Sequence, residues 1–341
     1  MLRQAPTDPA SCPLCGSADA HAIGERDRHG RPLRTLLCEG CGLVRIDPLP
    51  RAETVDRYYA EDYRAEYKGA VEPRLRHCHR ETLRALVRLQ AVRALCAPGC
   101  RMLDVGSGAG FFPFVARRAG IACDGVDPNL GYARFGRERL GLDGLRVGTL
   151  ADVAADPSLR PYDLVTIHHV LEHLLDPVAA MLQLVRLVRP GGLVLVEVPD
   201  IEADWHAPGR LFHAAHLFWF NEGTLSALAR RAGLAPLEVT REPPCGHLRM
   251  LLRRPVEDAP GSGDWRAGLV GNSARIEAAL RSRSLSGYAL SAAPYRRAAT
   301  RLARRFGEWR ATHGAKDARA VVEAACREVL GGGEPARWGR A

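Results

Sequence analysis

One segment of this 341-residue chain constrains its fold more than any other: a short apolar strand that runs directly into a glycine-rich turn. We predict the strand at 101–105, the turn Gly-Ser-Gly-Ala-Gly at 106–110, and a helix from there to Gly120. Glycine lets the backbone approach a ligand closely, and a helix N-terminus presents free amide groups. A single G-x-G-x-G turn also occurs in dinucleotide enzymes and in core turns, so by itself it leaves the ligand open.

Two aspartates make this turn more informative. Asp104 lies two residues before the first glycine, and the second predicted strand, 121–126, ends in Asp127, 17 residues beyond Gly110. A carboxylate at the end of the second strand can accept hydrogen bonds from both hydroxyls of a ribose. The pattern indicates a cofactor that contains a nucleoside.

The β-α alternation continues beyond the second strand. Further strands are predicted at 145–147, 162–168 and 193–198, and 187–192 is predicted as a helix-end turn before the last of them. Such alternation is typical of a parallel sheet that is doubly wound by helices, and ligands bind beyond the carboxyl ends of its strands. The candidate site is therefore lined by 104–110, Asp127, 149–150, 168–173 and 199–200.

Four motifs in this region occur in a fixed order. They are L-D-V-G-S-G-A-G at 103–110, G-V-D-P at 125–128, Y-D-L-V-T-I-H-H-V-L-E-H at 162–173 and L-V-R-P-G-G-L-V-L-V-E-V-P at 187–199. Over about residues 96–255 the chain resembles class I S-adenosylmethionine-dependent methyltransferases. The resemblance implies an α/β fold with a Rossmann-like seven-stranded sheet, doubly wound by helices. Its final antiparallel hairpin would be formed by 236–241 and 247–253. A nicotinamide-dependent enzyme would use the same loop for a pyrophosphate, but the P-G-G and L-E-H segments fit that alternative poorly.

The same resemblance assigns the S-adenosylmethionine site. It implies that the glycine turn holds the methionine part of the cofactor, that Asp127 holds the ribose and that the adenine lies near Pro128 and Leu150. The complete set of predicted cofactor-binding residues is Asp104, Gly106, Ser107, Gly108, Gly110, Phe111, Asp127, Pro128, Leu150 and His168.

The ten cysteines favour a metal site over a disulfide framework. Four of them form two C-x2-C pairs that are separated by 22 residues: Cys12, Cys15, Cys38 and Cys41. Zinc binds four thiolates in a tetrahedron, and such a closed site is structural. We expect Zn²⁺ to fold a ribbon at 1–50, with a hairpin over 20–37 that turns at 29–30. The other six cysteines are expected to be small core residues: Cys78, Cys96, Cys100, Cys123, Cys245 and Cys326.

Candidate catalytic groups cluster after the fourth predicted strand. In methyl transfer the protein aligns the acceptor and can remove its proton, and histidine suits the second task. Three interpretations of His169, Glu172 and His173 stay open: helix-start residues that bond to nearby backbone, a histidine general base, or a site for a divalent cation. Ubiquinone-pathway O-methyltransferases have a similar E-x-x-E-H segment with a metal role, but here His169 replaces the first glutamate.

A fourth candidate, His216, lies in the aromatic stretch 212–225, which we predict as an amphipathic core helix. Sugar C-methyltransferases of deoxysugar pathways, which carry similar cysteine pairs, place a histidine here that faces the acceptor. Their acidic pair before it is replaced by Ala214 and Ala215, and 246–249 only loosely matches their later H-G-G-S-L-R motif. The architecture carries over, but methylation at carbon does not follow.

The predicted domains are a four-cysteine zinc ribbon at 1–50, a helical linker at 51–97, the methyltransferase core at 98–255 and a basic helical extension at 256–341. The extension begins with a linker at 258–264, has helices at 276–285, 295–309 and 318–330, and holds six of the nine net positive charges. The middle helix carries a cluster of arginines, which we interpret as part of a helical cap or a homodimer contact, or as a phosphate clamp. The cluster is Arg296, Arg297, Arg301, Arg304 and Arg305.

No apolar run approaches the roughly 18 residues of a membrane span, and the first ten residues lack a secretory core, so we expect a cytoplasmic protein.

The expected function is S-adenosylmethionine-dependent methylation of a small molecule such as a glycan, nucleotide-sugar or secondary metabolite, at oxygen and with a histidine base. The alternatives are a sugar C-methyltransferase, an RNA methyltransferase that uses the ribbon and basic tail, and a non-catalytic S-adenosylmethionine-binding scaffold. A nucleic-acid partner is not expected, because the N/D-P-P-Y/F tetrapeptide is missing. The intact pair Asp104 and Asp127 argues against a decayed site.

Overall fold

The computed structural model of the chain describes residues 11–58, 72–242, 246–256 and 264–331. Cys245 and most of the predicted linker at 258–264 lie outside these ranges. Contacts divide the chain into two compact units, 1–56 with 167–294 and 57–166 with 295–341. Each unit therefore combines segments that are far apart in sequence. The domain boundaries expected from the sequence stay a prediction.

Eleven strands are found in the described part of the chain, and they form two sheets. A four-stranded sheet has the order β1-β2-β3-β9, and a seven-stranded sheet has the order β10-β11-β8-β7-β4-β5-β6. The second sheet confirms the predicted α/β class. The strands are β1 Ala20–Arg26, β2 Pro32–Cys38, β3 Val44–Asp47, β4 Arg101–Val105, β5 Ala122–Asp127, β6 Leu145–Val147, β7 Tyr162–His168, β8 Val188–Pro199, β9 Phe218–Trp219, β10 Ala235–Glu242 and β11 His247–Arg253.

Eleven α-helices are described, together with a 3-10 turn at Leu171–His173. Among the described residues, no helix is both long enough and apolar enough to cross a bilayer. The helices are α1 Ala52–Arg57, α2 Leu75–Arg93, α3 Phe111–Arg118, α4 Leu130–Leu140, α5 Leu150–Ala155, α6 Pro177–Leu187, α7 Glu222–Arg231, α8 Asn272–Arg281, α9 Leu285–Leu290, α10 Ala293–Thr312 and α11 Ala318–Leu330.

The unit that contains the glycine turn is built on three parallel strands. β4 pairs with β5 and β5 with β6, so that Val105 lies beside Val126 and Gly125 beside Leu145. The apolar side chains of β4 are buried, as expected for a strand that is covered on both faces. Helix α11 packs against α2, α3 and α4, so the end of the described chain belongs to the core of this unit.

In the other unit, β8, β11 and β10 form an antiparallel set, which confirms the predicted hairpin. The predicted turn at 187–192 is wrong in part, because β8 begins at Val188. Part of the extension has a physical reason: Gly191 N donates to Arg254 O and Arg254 N donates to Gly192 O, so pairing continues into the P-G-G segment.

The aromatic stretch 212–225 is not one amphipathic helix, as the sequence suggested. Phe218–Trp219 forms the short strand β9, and the helix that follows begins only at Glu222, where the Asn221 side chain accepts from Thr224 N. β9 pairs with β3 of the four-stranded sheet. The prediction failed because the strand partner comes from more than 170 residues earlier in the chain.

Candidate functional site

The two cysteine pairs come together at one end of the four-stranded sheet. Each pair sits on a tight turn in which a left-handed glycine, Gly16 or Gly42, donates its amide to the first cysteine's carbonyl at 2.8 Å. Cys12 Sγ lies 3.6 Å from Cys41 Sγ, and Cys15 Sγ lies 3.5 Å from Cys38 Sγ.

This arrangement fits the predicted zinc ion. All four Sγ atoms lie within 4.8 Å of one another, and a Zn–S distance of about 2.3 Å requires tetrahedral S···S edges of about 3.8 Å. Without metal, the contact between Cys12 and Cys38 raises the pKa of the Cys12 thiol to about 12 and lowers that of Cys38 to about 2. A divalent cation would ionise all four thiols, and its binding would be linked to the folding of the ribbon.

The glycine turn in the other unit has the backbone shape that its sequence requires. Gly106, Gly108 and Gly110 all have positive φ values, of 72°, 59° and 77°. A Cβ on Gly110 would lie 2.4 Å from the Leu142 side chain, and the positive φ of this residue also favours glycine. The turn leads into α3, whose first residue, Phe111, is buried.

Asp127 is directly joined to this turn. Its Oδ2 accepts from Gly108 N at 2.7 Å and its Oδ1 accepts from Asn129 N at 3.0 Å. Each carboxylate oxygen has a second lone pair, so the same group can still accept hydrogen bonds from two ribose hydroxyls. Asp104 is held separately, because its Oδ1 accepts from Thr166 Oγ1 at 2.8 Å.

Of the remaining predicted cofactor-binding residues, Pro128 follows β5 and Leu150 opens α5 behind a Thr149–Asp152 capping box. His168 ends β7, and it falls in the unit that contains the ribbon. The other nine predicted residues belong to the unit that contains the glycine turn. Their roles stay predictions.

The histidines and glutamates form a second cluster, in the unit that contains the ribbon. His169 has a left-handed backbone with φ 54°, which is uncommon for a residue other than glycine. Such strained residues concentrate at functional sites. The conformation directs the ring between two buried carboxylates: His169 Nδ1 lies 3.3 Å from Glu172 Oε1, and Nε2 lies 3.3 Å from Glu197 Oε1.

Glu197 and Arg249 were not among the predicted site residues. Glu197 lies on β8 and is 1% exposed, and Arg249 on β11 binds its Oε2 through Nε at 3.1 Å and Nη2 at 2.6 Å. His247 packs edge-on against the His169 ring at a centroid distance of 4.4 Å. A signal was available, because Glu197 is the only charged residue in the apolar segment 191–199.

The other half of the cluster surrounds Glu172. Its Oε1 lies 3.9 Å from His216 Nε2. Its Oε2 has no hydrogen-bond partner among the described residues, although the side chain is buried. The His173 ring lies 4.8 Å from the His216 ring, and His173 Nδ1 donates to Ala215 O at 2.6 Å. This bond assigns the proton to Nδ1 and leaves Nε2 as an acceptor. The structure thus brings all four predicted catalytic residues together.

The histidines of this cluster differ in charge. Burial lowers the pKa of His169, but the hydrogen bonds to Glu172 and Glu197 outweigh it and raise that pKa to about 9. Burial and the neighbouring His213 hold the pKa of His216 well below its usual value. At neutral pH His169 is therefore an imidazolium and His216 is a neutral imidazole.

The interpretation of Glu172 and His173 as helix-start residues that bond to nearby backbone stays open for His173, whose Nδ1 bonds to the backbone carbonyl of Ala215. The two residues end a single 3-10 turn, and Glu172 faces histidine rings rather than backbone amides. The carboxylate and the two rings of Glu172, His173 and His216 also lie within 4.8 Å of one another, as do the side chains of His169, Glu197 and His247. The general-base and cation interpretations thus share the same atoms.

Comparison with known proteins identifies the family. A family model described as a methyltransferase domain matches residues 53–239, which is more than half of the chain. The chain belongs to this methyltransferase-domain family. The match covers the glycine turn, Asp127 and the segment from His168 to His216, and it leaves out the cysteine pairs and the residues beyond 239.

Curated relatives cover only part of the chain. It is similar to a ubiquinone biosynthesis O-methyltransferase of Ruegeria pomeroyi, with 29% identity over 154 residues, which is 41% of this chain and 62% of that protein. It is also similar to a ubiquinone/menaquinone biosynthesis C-methyltransferase of Stenotrophomonas maltophilia, with 33% identity over 38% of this chain and 55% of that protein. Across three similar ubiquinone biosynthesis O-methyltransferases, the chain spans between 42% and 66% of the relative's length.

Solved structures of methyltransferases are also similar to this chain. One is the 1,6-didemethyltoxoflavin-N1-methyltransferase of Burkholderia thailandensis, with 20% identity and a TM-score of 0.44. The match covers 70% of this chain and 99% of that one.

Proposed function

We propose that this chain transfers the methyl group of S-adenosylmethionine to a hydroxyl of a small-molecule acceptor. The observation that carries the proposal is the buried group of Glu172, His173 and His216, with an unpartnered carboxylate oxygen, in a chain of the methyltransferase-domain family. A buried polar atom without a partner is costly, so a ligand is expected to complete it.

The cofactor would be held by the glycine turn and Asp127. The amides of 106–110 would face its charged methionine part, and the Asp127 carboxylate would accept from the ribose hydroxyls. S-adenosylmethionine supplies an activated methyl group, so the protein's remaining task is to place the acceptor and to remove its proton.

We assign that proton transfer to His216. A general base must be neutral before it reacts, and burial keeps His216 neutral by lowering its pKa, although the same effect weakens it as a base until a carboxylate stabilises its charged form. After it accepts the proton, the imidazolium would be stabilised by the Glu172 carboxylate 3.9 Å away. His169 does not suit this step, since its two glutamates keep it protonated up to a pH of about 9.

The unit that contains the cluster also has a cavity of a size that suits a small acceptor. A cavity of about 740 Å³ is lined by the β1–β2 turn and by 207–212, and Phe212 at its edge packs on Trp219. Known small-molecule pockets span roughly 300–1,000 Å³. Four arginines and two acidic residues, Glu25 and Asp27, line this cavity, so its net charge is positive and an acceptor with an anionic group is favoured.

The test combines binding with turnover. Calorimetry with S-adenosylmethionine measures the first step, and release of S-adenosylhomocysteine measures transfer to catechol, UDP-glucose and bulk RNA as probes. We expect cofactor binding, and turnover with a hydroxylated small molecule that His216→Gln reduces at least about 100-fold. The exposed His313→Gln is the matched control and should keep full activity.

Each alternative has its own outcome in this experiment. Transfer to RNA with a steep salt dependence would favour the nucleic-acid alternative and reject a small acceptor. Methylation at carbon would favour the sugar C-methyltransferase alternative. Cofactor binding without any transfer would indicate a scaffold, and absence of binding would refute the proposal.

A further inference from the structure

Helix α10, Ala293–Thr312, carries a stripe of large apolar side chains that faces solvent. Tyr295, Leu302, Phe306 and Trp309 recur at intervals of seven, four and three residues, which places them on one face of a helix. Their exposures are 69%, 73%, 60% and 58%. The Phe306 and Trp309 rings are neighbours, with centroids 5.9 Å apart. We call these four residues the apolar stripe.

The orientation of α10 is the reverse of an ordinary surface helix, whose apolar face covers the core. The side of α10 that packs on the protein is polar or small. It includes Glu308, which is buried and forms ion pairs with Arg80 of α2 at 3.4 Å and with Arg304 at 3.6 Å. Within the described residues of the unit, the apolar stripe is thus not a contact surface, and it needs another explanation.

Arginines border the apolar stripe on both flanks. Arg301 and Arg305 lie on one flank, Arg296 and Arg310 lie on the other, and all four are exposed. The helix contains six arginines and one acidic residue, Glu308. Since Glu308 is buried and already paired, the outward face of α10 carries positive charge only.

These charges distinguish between two surfaces that could cover the stripe, namely a second copy of α10 and an anionic bilayer. In a two-fold pairing of two copies of α10, the flanks of one helix would face the same flanks of the other, so arginine would oppose arginine without a compensating carboxylate. An anionic bilayer surface is complementary to both features, because it offers phosphate groups to the arginines and an acyl boundary to the stripe.

We propose that α10 is an interfacial helix that docks this protein on the surface of an anionic membrane. The helix would lie parallel to the bilayer plane, with the apolar stripe in the headgroup boundary and the flanking arginines on lipid phosphates. The stripe extends from Tyr295 to Trp309, or roughly 20 Å at the rise of an α-helix. This docking function is independent of the methyl-transfer reaction and of the acceptor.

Vesicle co-sedimentation of the 341-residue chain, loaded with zinc, tests the proposal. The probes are vesicles of phosphatidylcholine alone and vesicles with about 30% phosphatidylglycerol. We expect binding to the anionic vesicles only, weakened by salt. Phe306→Ser should reduce the partition coefficient at least about tenfold, and Arg301→Gln and Arg305→Gln should each reduce it about fivefold.

Two control variants change exposed side chains that lie outside α10. Leu182→Ser removes an exposed apolar side chain of α6, and Arg281→Gln removes an exposed arginine of α8; neither should change vesicle binding. Thermal unfolding confirms that each variant is folded. The proposal is overturned if wild type ignores anionic vesicles or if Phe306→Ser binds like wild type. It is also overturned if the wild type is a dimer in solution that Phe306→Ser converts to a monomer.

Discussion

The proton that His169 holds between Glu172 and Glu197 should be measurable as pH-dependent stability. The pKa of His169 is about 9 in the folded protein, against about 6.5 in an unfolded chain. The folded state therefore binds this proton more tightly. The resulting stabilisation is complete below a pH of about 6.5 and is lost as the pH rises through about 9.

The size of this stabilisation follows from the difference between the pKa values of His169 in the folded and unfolded states. A difference of about 2.5 pKa units corresponds to about 3 kcal/mol of unfolding free energy. The His169 side chain is 27% exposed, so water screens part of the attraction from the glutamates. We therefore expect a loss of about 2 kcal/mol between a pH of about 6.5 and one of about 9.5.

The variant for this test is His169→Asn. Asparagine tolerates the left-handed backbone at this position, so the substitution removes the titrating group and keeps the turn. Urea unfolding with zinc present, followed by circular dichroism, gives the free energy at each pH for both proteins. The cysteine thiols titrate in both proteins, so they cancel in the difference.

Wild type should lose about 2 kcal/mol more than His169→Asn across this pH range. The exposed His313→Asn should follow the wild-type profile. NMR titration of the His169 ring provides the direct value. Parallel pH profiles for wild type and His169→Asn, or a ring that titrates near its unperturbed pKa of about 6.5, would refute the assignment of an imidazolium to the cluster.

Two further predictions concern the metal and the cofactor. Removal of zinc by a chelator, or Cys38→Ser, should unfold the ribbon and abolish turnover while calorimetry still detects S-adenosylmethionine binding; turnover by metal-free protein would contradict the zinc assignment. Asp127→Asn should weaken S-adenosylmethionine binding by about 2 kcal/mol, because the amide can donate where the ribose hydroxyls need an acceptor. A change in Kd of less than about twofold would show that Asp127 serves only to hold Gly108.

The β-α core could be predicted from the sequence almost to the residue. The predicted strands at 101–105, 145–147 and 162–168 and the helix at 318–330 are confirmed with the same bounds. These elements are bounded by local signals, such as the glycines after β4 and the Asp317 N-cap of α11. Where nearby residues determine the end of a strand or helix, a single sequence is sufficient to predict that end.

The features that escaped prediction depend on partners distant in the chain. β8 extends before the predicted start at residue 193, in part because Gly191 and Gly192 pair with Arg254, and β9 forms because it pairs with β3. Glu197 is the only charged residue of the apolar segment 191–199, but its partner His169 is evident only from the fold. The outward stripe of α10 could not be inferred either, because periodicity predicts an amphipathic helix without saying which face is covered.

The contacts around β9 explain why a structural metal can matter for chemistry far from it. Leu217, directly after His216, accepts from Ile46 N of β3 at 3.0 Å through its carbonyl and donates to Glu172 O at 2.8 Å through its amide. One residue thus joins the zinc ribbon to the backbone of the candidate base and of its carboxylate partner. Structural zinc sites supply about 10–16 kcal/mol of apparent binding free energy to folding. We expect zinc binding to stabilise β3 and, through the two hydrogen bonds of Leu217, the separation of His216 and Glu172, so that the ribbon would support the candidate site.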